Sequence, residues 1–210
     1  MSTNNSPLTI TAHIISDVFA PLLVPTYAML VAMFMTRLAI LPVGPRLWAI
    51  AGVFVITAVI PFVLIWSLIR MGKVSDTSIS DRSQRTIPYI ASVLCYVGAA
   101  VYLICLKAPA WLWAFFIGAS VMSIISLVIT RWWKISAHTG AVGGLCGGIF
   151  FLAWKHMLLY SPLFWVCASM VLVCLMAWAR LYLNRHTPLQ TLAGAVAGFV
   201  IILVSLSISI

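Results

Sequence analysis

The chain has 210 residues, of which 64% are apolar (AVILMFWYC) and 7% are charged. A soluble globular domain carries about 25% charged residues, so this composition excludes a soluble enzyme, a disordered tail and a nucleic-acid-binding module. Twelve Lys and Arg against three Asp and Glu give a formal net charge of +9. Because the cations lie in short connections between apolar runs, we expect their partners to be anionic lipid headgroups or phosphate-bearing substrates.

Seven apolar runs follow one another along the chain, and each approaches the roughly 20 helical residues that cross a hydrocarbon core of about 30 Å. They are Pro21–Leu41, Leu47–Ile69, Pro88–Leu106, Ala110–Thr130, Thr139–Trp154, Ser161–Ala179 and Gln190–Ile208. Backbone groups in lipid must be hydrogen-bonded within their own segment, so these runs are expected to be helices. The sequence predicts an all-α, polytopic transmembrane bundle of six to seven spans, forming a single integral membrane domain over residues 1–210.

Alternating crossings place three polar connections on one side of the membrane, called side X below. These connections are Arg70–Arg85, Arg131–His138 and Arg180–Pro188. With the N-terminus on the same side, side X holds most of the cations and all three acidic residues. Side X is therefore where we expect the chemistry of this protein.

The side-X connections contain the residue types that bind and transfer phosphate, namely Arg85 in the first, Ser136 and His138 in the second, and Arg180 and His186 in the third. Guanidinium groups hold phosphate oxygens through forked, charge-assisted hydrogen bonds. A hydroxyl adds a further donor, and an imidazole attacks phosphorus or transfers protons. The combination predicts a phosphate site.

Helix geometry predicts that the two histidines lie close together. His138 precedes the fifth apolar run and His186 precedes the seventh, so each lies near a helix N-terminus, which favours anions and the neutral imidazole. Both runs carry small residues four apart: Gly140, Gly144 and Gly148 in the fifth, Gly194 and Gly198 in the seventh. Such faces let membrane helices approach closely, which predicts that the two runs pack and that the histidines meet at the mouth of the bundle.

The second and third connections contain short patterns with a characteristic spacing. The third connection has the pattern Ala-Arg-x5-His-x3-Gln, in which the arginine is Arg180, the histidine is His186 and the glutamine is Gln190. This pattern is similar to the motif Ser-Arg-x5-His-x3-Asp. The second, Ile135–His138, reads Ile-Ser-Ala-His and is similar to Pro-Ser-Gly-His.

The first connection and the residues after it are more loosely similar to a further motif, Lys-x6-Arg-Pro. Pro88 lies three residues after Arg85, and Arg82 and Lys73 precede them. Together these three patterns resemble the signature motifs of the type 2 phosphatidic acid phosphatase (PAP2) superfamily of membrane lipid phosphatases. The resemblance places a PAP2-like core at about residues 70–208.

The resemblance implies a reaction and a role for each residue. His186 would attack phosphorus and carry a phospho-histidine intermediate, and His138 would protonate the leaving lipid oxygen. The residues that would hold the phosphate are Arg85, Ser136 and Arg180, with Arg82 or Lys73 as helpers. The family uses no metal or other cofactor. The implied substrate is a lipid phosphate or diphosphate monoester, with undecaprenyl diphosphate the first expectation and phosphatidate-type or lipid A phosphates next. The implied location is a bacterial inner membrane, with the bilayer itself as the surrounding partner.

Gln190 departs from the family pattern, which has Asp at this position to orient the nucleophilic histidine. Four residues along a helix still allow Gln190 to reach His186, and its carbonyl oxygen is able to accept the ring N–H. The charge of the carboxylate is missing, and in a serine protease the comparable Asp-to-Asn change costs about 10⁴ in rate. Asp17 or Asp81 is a candidate substitute. The alternative is a catalytically weak or inactive protein that binds or transports lipid phosphates.

A lesser alternative is an intramembrane prenyltransferase. The segment with Asp76, Asp81, Arg82, Arg85 and Pro88 is similar to the aspartate-rich first motif of those enzymes. That chemistry uses Mg²⁺ held by carboxylates on a diphosphate and normally requires a second acidic cluster. The chain contains no acidic residue after position 81, which disfavours this function.

Overall fold

A computed structural model describes residues 6–74 and 82–210, apart from the side chains of residues 82 and 83. The described chain is helical. Its helices are α1 (Pro7–Val18), α2 (Val24–Met35), α3 (Val43–Phe54), α4 (Ile60–Arg70), α5 (Thr86–Cys105), α6 (Ala110–Thr130), α7 (Ala137–Trp154), α8 (Pro162–Tyr182) and α9 (Pro188–Ile208). A π-helical turn at Val55–Val59 joins α3 and α4 into one long helix, and 3₁₀ turns lie at Arg37–Ile40 and Arg82–Arg85.

Six of these helical segments are long and apolar enough to cross a membrane. They are Val43–Arg70, Thr86–Cys105, Ala110–Thr130, Ala137–Trp154, Pro162–Tyr182 and Pro188–Ile208. The protein is therefore an integral, multi-pass, all-α membrane bundle, as predicted.

The first predicted span, Pro21–Leu41, is not a continuous crossing, so that part of the prediction is wrong. It contains α2, which has 12 residues and is about 18 Å long at 1.5 Å per residue. The backbone of Thr36 is extended, and its Oγ1 accepts a hydrogen bond from the N–H of Leu38. This local cap begins the 3₁₀ turn and ends the helix, a feature that hydropathy does not detect.

Two tyrosine hydroxyls hold the turn between α1 and α2. Tyr27 donates a hydrogen bond to the carbonyl of Val18 at 2.7 Å, and Tyr96 donates one to the carbonyl of Pro21 at 3.5 Å. Because Tyr96 lies midway along α5, the turn packs against the middle of that helix. The N-terminal segment is thus a wall of the bundle interior.

Helices α7 and α9 run in the same direction and touch backbone to backbone. A Cβ atom at Gly198 would overlap the backbone of Gly140, and one at Gly143 would overlap the backbone of Ala195. The predicted packing of the two glycine faces is confirmed. Since both helices begin at side X, this contact holds their N-terminal ends side by side.

The bundle is solid in the half remote from side X. Met29, Leu103, Phe116 and Phe151 are fully buried there within one continuous apolar cluster. The half next to side X is different, because its helices enclose an open space.

Candidate functional site

A cavity of about 640 Å³ lies in the side-X half of the bundle. Arg85, His138, Arg180, His186 and Asp17 line it. These residues come from five places in the chain: the turn before α5, the start of α7, the end of α8, the connection to α9 and the end of α1. The rest of the lining is largely apolar.

The two arginines on the cavity wall are buried. Arg85 is 7% exposed, and its Nη1 donates to the carbonyl of Ile135 at 3.4 Å, which ties the first polar connection to the second. Arg180 is 4% exposed, and its Nε has no hydrogen-bond partner among the residues that the structure describes. A buried donor without an acceptor is unfavourable, and a phosphate oxygen would satisfy this one.

Ser136 has a different position from the two arginines. It is fully buried and is the N-cap residue of α7, where its Oγ accepts a hydrogen bond from the N–H of Thr139 at 3.4 Å. Its own N–H donates to the carbonyl of Gln190 at 3.4 Å. The residue is not on the cavity wall; it joins the start of α7 to the start of α9 and so sets the position of His138, two residues later.

His186 and Gln190 form the hydrogen bond that their spacing allows. His186 Nδ1 is 3.2 Å from Gln190 Oε1, and the same oxygen accepts the backbone N–H of Thr187 at 3.2 Å. Since a backbone N–H only donates, the amide atom facing both groups is the oxygen. The Nδ1 atom of His186 must therefore carry the proton, which leaves the lone pair of Nε2 for chemistry.

This arrangement is part of the cap of α9. Thr187 Oγ1 accepts the N–H of Gln190 at 3.4 Å, and the two residues complete a reciprocal capping box. A Thr and a Gln or Glu three residues later are the usual members of that motif. The local sequence thus holds the Gln190 side chain in place independently of any substrate.

The pKa of His186 falls to about 4. Burial is the main cause, followed by the positive charges of Arg180 and Arg85, while the hydrogen bond to Gln190 acts in the opposite direction. Burial and the two positive charges disfavour the imidazolium form, and the hydrogen bond to Gln190 favours it. At neutral pH His186 is therefore an uncharged imidazole, as nucleophilic attack requires.

Some residues predicted for the site are not on the cavity wall or fall outside the described residues. Lys73 is exposed and does not line the cavity. The side chain of Arg82, together with Asp76 and Asp81, lies outside the part of the chain that the structure describes.

Asp17 is one of the two acidic residues that the sequence offered as a substitute for the missing carboxylate. It lies at the exposed end of α1 and lines the same cavity as Arg180.

Five hydroxyl side chains on the cavity wall were not predicted from the sequence: Tyr89, Ser92, Tyr96, Ser123 and Ser126. They lie inside apolar runs, where single polar residues are easily read as packing positions. Their spacing along α5 and α6 is the signal that would have found them.

Residues 125–209 match the family model described as PAP2 superfamily. Comparisons with curated proteins and with solved structures give no match. The matched segment contains His138, Arg180 and His186, which the structure places around one cavity. The match supports membership of the PAP2 superfamily, whose members are generally phosphatases that hydrolyse phosphoric esters.

Proposed function

We propose that this protein is a membrane lipid phosphatase that hydrolyses a lipid phosphate or diphosphate monoester through a phospho-histidine intermediate. One observation carries the proposal: two buried arginines and two histidines line the polar end of a cavity whose remaining wall is largely apolar. Such a cavity suits a substrate with a phosphate at one end and hydrocarbon at the other.

In the first half-reaction, Nε2 of His186 attacks phosphorus and the bond between phosphorus and the lipid oxygen breaks. Protonated His138 gives its proton to that oxygen, which leaves as an alcohol. Arg85 and Arg180 hold the non-bridging phosphate oxygens and stabilise their charge in the transition state. Gln190 keeps the proton on Nδ1 of His186 throughout.

In the second half-reaction, water attacks the phospho-histidine. His138, now neutral, takes a proton from the water, the new oxygen–phosphorus bond forms, and the phosphorus–nitrogen bond to His186 breaks. Inorganic phosphate leaves and His138 is again protonated. The net reaction consumes one ester and one water and yields one alcohol and one phosphate, so both histidines return to their starting states.

The lipid is proposed to enter sideways from the bilayer. Phe62 and Trp66 of α4 line the cavity and are also 55% and 50% exposed on the outer surface. An apolar wall that is shared by the cavity and the outer surface supports direct exchange of hydrocarbon chains with the membrane. The substrates to be tested are undecaprenyl diphosphate, phosphatidate-type lipids and lipid A phosphates.

The test is phosphate release by the purified protein with each of these lipids. His186→Ala should lower kcat by at least about 10³-fold because the nucleophile is gone, and His138→Ala by about 10²–10⁴-fold. His13→Ala is the matched control, since His13 is exposed on α1, and it should leave kcat unchanged. Equal phosphate release by His186→Ala and the parent protein would refute the assignment.

The second candidate function is binding or transport of lipid phosphates without turnover. It is favoured by Gln190, because an amide stabilises a positive charge on His186 less than the family's carboxylate does. This function predicts saturable binding of lipid phosphate with no phosphate release, and the same purified protein measures both quantities.

A further inference from the structure

Arg180 and His186 line one cavity although they belong to different structural elements. Arg180 lies in the last turn of α8, which ends at Tyr182, and His186 directly precedes Thr187, the N-cap residue of α9. If α8 continued as a helix to His186, the six intervening steps would rotate the side chain by about 600° and move it by about 9 Å along the axis. The two side chains would then point in different directions, so the way in which α8 ends decides whether they meet.

α8 ends in a Schellman motif that is built on Arg180 itself. The N–H of Arg185 donates to the carbonyl of Arg180 at 3.0 Å, and the N–H of Asn184 donates to the carbonyl of Leu181 at 2.9 Å. These are the two characteristic hydrogen bonds of that motif. The backbone directly before His186 is thus tied to the residue that carries a phosphate-binding guanidinium.

The motif requires one residue with a left-handed backbone conformation, and Asn184 supplies it with a φ of 51°. Glycine is the usual residue at this position, and asparagine adopts the conformation more readily than other residues that have a Cβ atom. A β-branched residue is strongly disfavoured there because its side chain crowds the backbone. Since the Asn184 side chain is exposed, a substitution acts mainly through the backbone.

His186 lies between two helix caps that leave its backbone little freedom. Arg185 completes the cap of α8, and Thr187 begins the capping box of α9 together with Gln190. His186 is the single residue between these two caps, and it is 8% exposed. The position of the imidazole therefore depends on Asn184 on one side as much as on the capping box on the other.

Resting on the function proposed above, we propose that Asn184 is a positioning residue of the reaction. Its left-handed conformation closes α8 and turns the chain back, so that Nε2 of His186 faces the phosphate that Arg180 holds. Asn184 does not touch the phosphate and acts through the backbone alone. This gives a structural reason for the five residues that separate Arg180 from His186.

Lys107 provides a matched control at the opposite end of the bundle. It is exposed and closes α5 with a φ of 56°. The N–H of Ala108 donates to the carbonyl of Leu103 at 3.0 Å, and the N–H of Lys107 donates to the carbonyl of Ile104 at 2.9 Å. The cap is the same as that at Asn184, but no proposed site residue follows it. Equivalent substitutions at the two positions separate an effect on the site from an effect on stability.

The first measurement is phosphate release from phosphatidate by purified variants. Asn184→Val should lower kcat by about 10- to 100-fold, because a displacement of about 1 Å in a reacting group costs up to about 10²-fold. Asn184→Gly should keep kcat within about threefold, since glycine adopts the same conformation without strain. Lys107→Val should lower Tm as much as Asn184→Val does, by about 2–8 °C, and leave kcat unchanged.

The second measurement does not depend on turnover. The pKa of His186 is read from the NMR signal of ¹³C-labelled histidine, which is identified by its loss in His186→Ala. In the parent this pKa is about 4 because of burial and the charges of Arg180 and Arg85. Moving the ring away from them weakens these effects, so in Asn184→Val the pKa should rise by about one pH unit toward its ordinary value. Asn184→Gly and Lys107→Val should leave it unchanged.

Two results would overturn the inference: parent-like kcat and His186 pKa in Asn184→Val, or an equal loss of kcat in Lys107→Val. Asn184→Ala, with a smaller conformational cost, should show a smaller change in the same direction and replaces the valine variant where that variant does not fold. Phosphate release that is insensitive to both Asn184 variants would refute only the positioning role. The expected pKa pattern without any phosphate release by the parent would support that role and refute the phosphatase assignment.

Discussion

Gln190 offers the sharpest test of how the proposed nucleophile is held. Its Oε1 accepts hydrogen bonds from His186 Nδ1 and from the N–H of Thr187. Gln190→Glu keeps the length of the side chain and the capping box and adds a negative charge. Gln190→Leu keeps the approximate volume and removes both hydrogen bonds. The pair separates the effect of charge from the effect of orientation.

The expected pH dependence follows from the low pKa of His186. In the parent protein, attack requires neutral His186, so kcat/KM should be lost as the pH falls through about 4. An adjacent carboxylate favours the imidazolium and raises a histidine pKa by about one to three pH units. The acidic limb of the Gln190→Glu profile should therefore move to between about pH 5 and 7.

Gln190→Leu should lower kcat at neutral pH, and its effect is not confined to the acidic limb of the pH profile. Loss of a buried hydrogen bond to the ring costs about 1–3 kcal/mol, and it frees His186 to place its proton on Nε2, the attacking atom. We expect kcat at pH 7 to fall by about 10- to 100-fold, with the acidic limb at or below that of the parent. A larger neutral fraction of His186 does not raise kcat at pH 7, because His186 is already neutral at that pH.

The assay is phosphate release from phosphatidate in detergent micelles, measured from pH 3.5 to 8 for the parent and both variants. Circular dichroism and thermal unfolding confirm that each variant remains folded, since Gln190→Leu also removes part of the α9 cap. Identical rates and identical pH profiles for all three proteins would show that Gln190 does not orient the nucleophile.

Three further predictions concern packing, phosphate binding and charge. Gly198→Ala places a methyl group against the backbone of α7 and should lower the free energy of unfolding by about 1–3 kcal/mol, seen as a lower Tm. Gly44→Ala faces open space and should leave Tm unchanged. Arg180→Lys loses the guanidinium fork and should lower kcat/KM by about 10- to 100-fold, whereas Arg131→Lys, at an exposed position, should have no effect on it. Asp17→Asn removes a negative charge from the cavity mouth and should lower KM about threefold with kcat unchanged.

Each of these predictions has a result that contradicts it. Equal Tm values for the two glycine variants would mean that α7 and α9 separate without cost. Parent-like kcat/KM in Arg180→Lys would mean that a single point charge suffices for the phosphate. A large fall in kcat for Asp17→Asn would show that its carboxylate takes part in the chemistry and substitutes for the charge that Gln190 lacks.

Hydropathy alone was sufficient to predict a multi-pass helical bundle, because helices in lipid must satisfy their own backbone and their length must match the bilayer. The glycine spacing of α7 and α9 predicted their close contact for a similarly local reason: only faces without Cβ atoms allow two backbones to touch. The type and order of the residues in the three connections by themselves indicate phosphate chemistry.

Tertiary structure decided everything that depends on contacts between distant parts of the chain. The bond from Tyr96 to the carbonyl of Pro21 holds the N-terminal segment against α5, and this segment forms a cavity wall on which Asp17 lines the same space as Arg180. No periodicity encodes these contacts, since each joins residues whose separation in sequence carries no information about their distance. The register of α5 and α6, set by the bond from Ser120 to the carbonyl of Val93, likewise places Tyr89 and Ser123 at one level of the cavity wall.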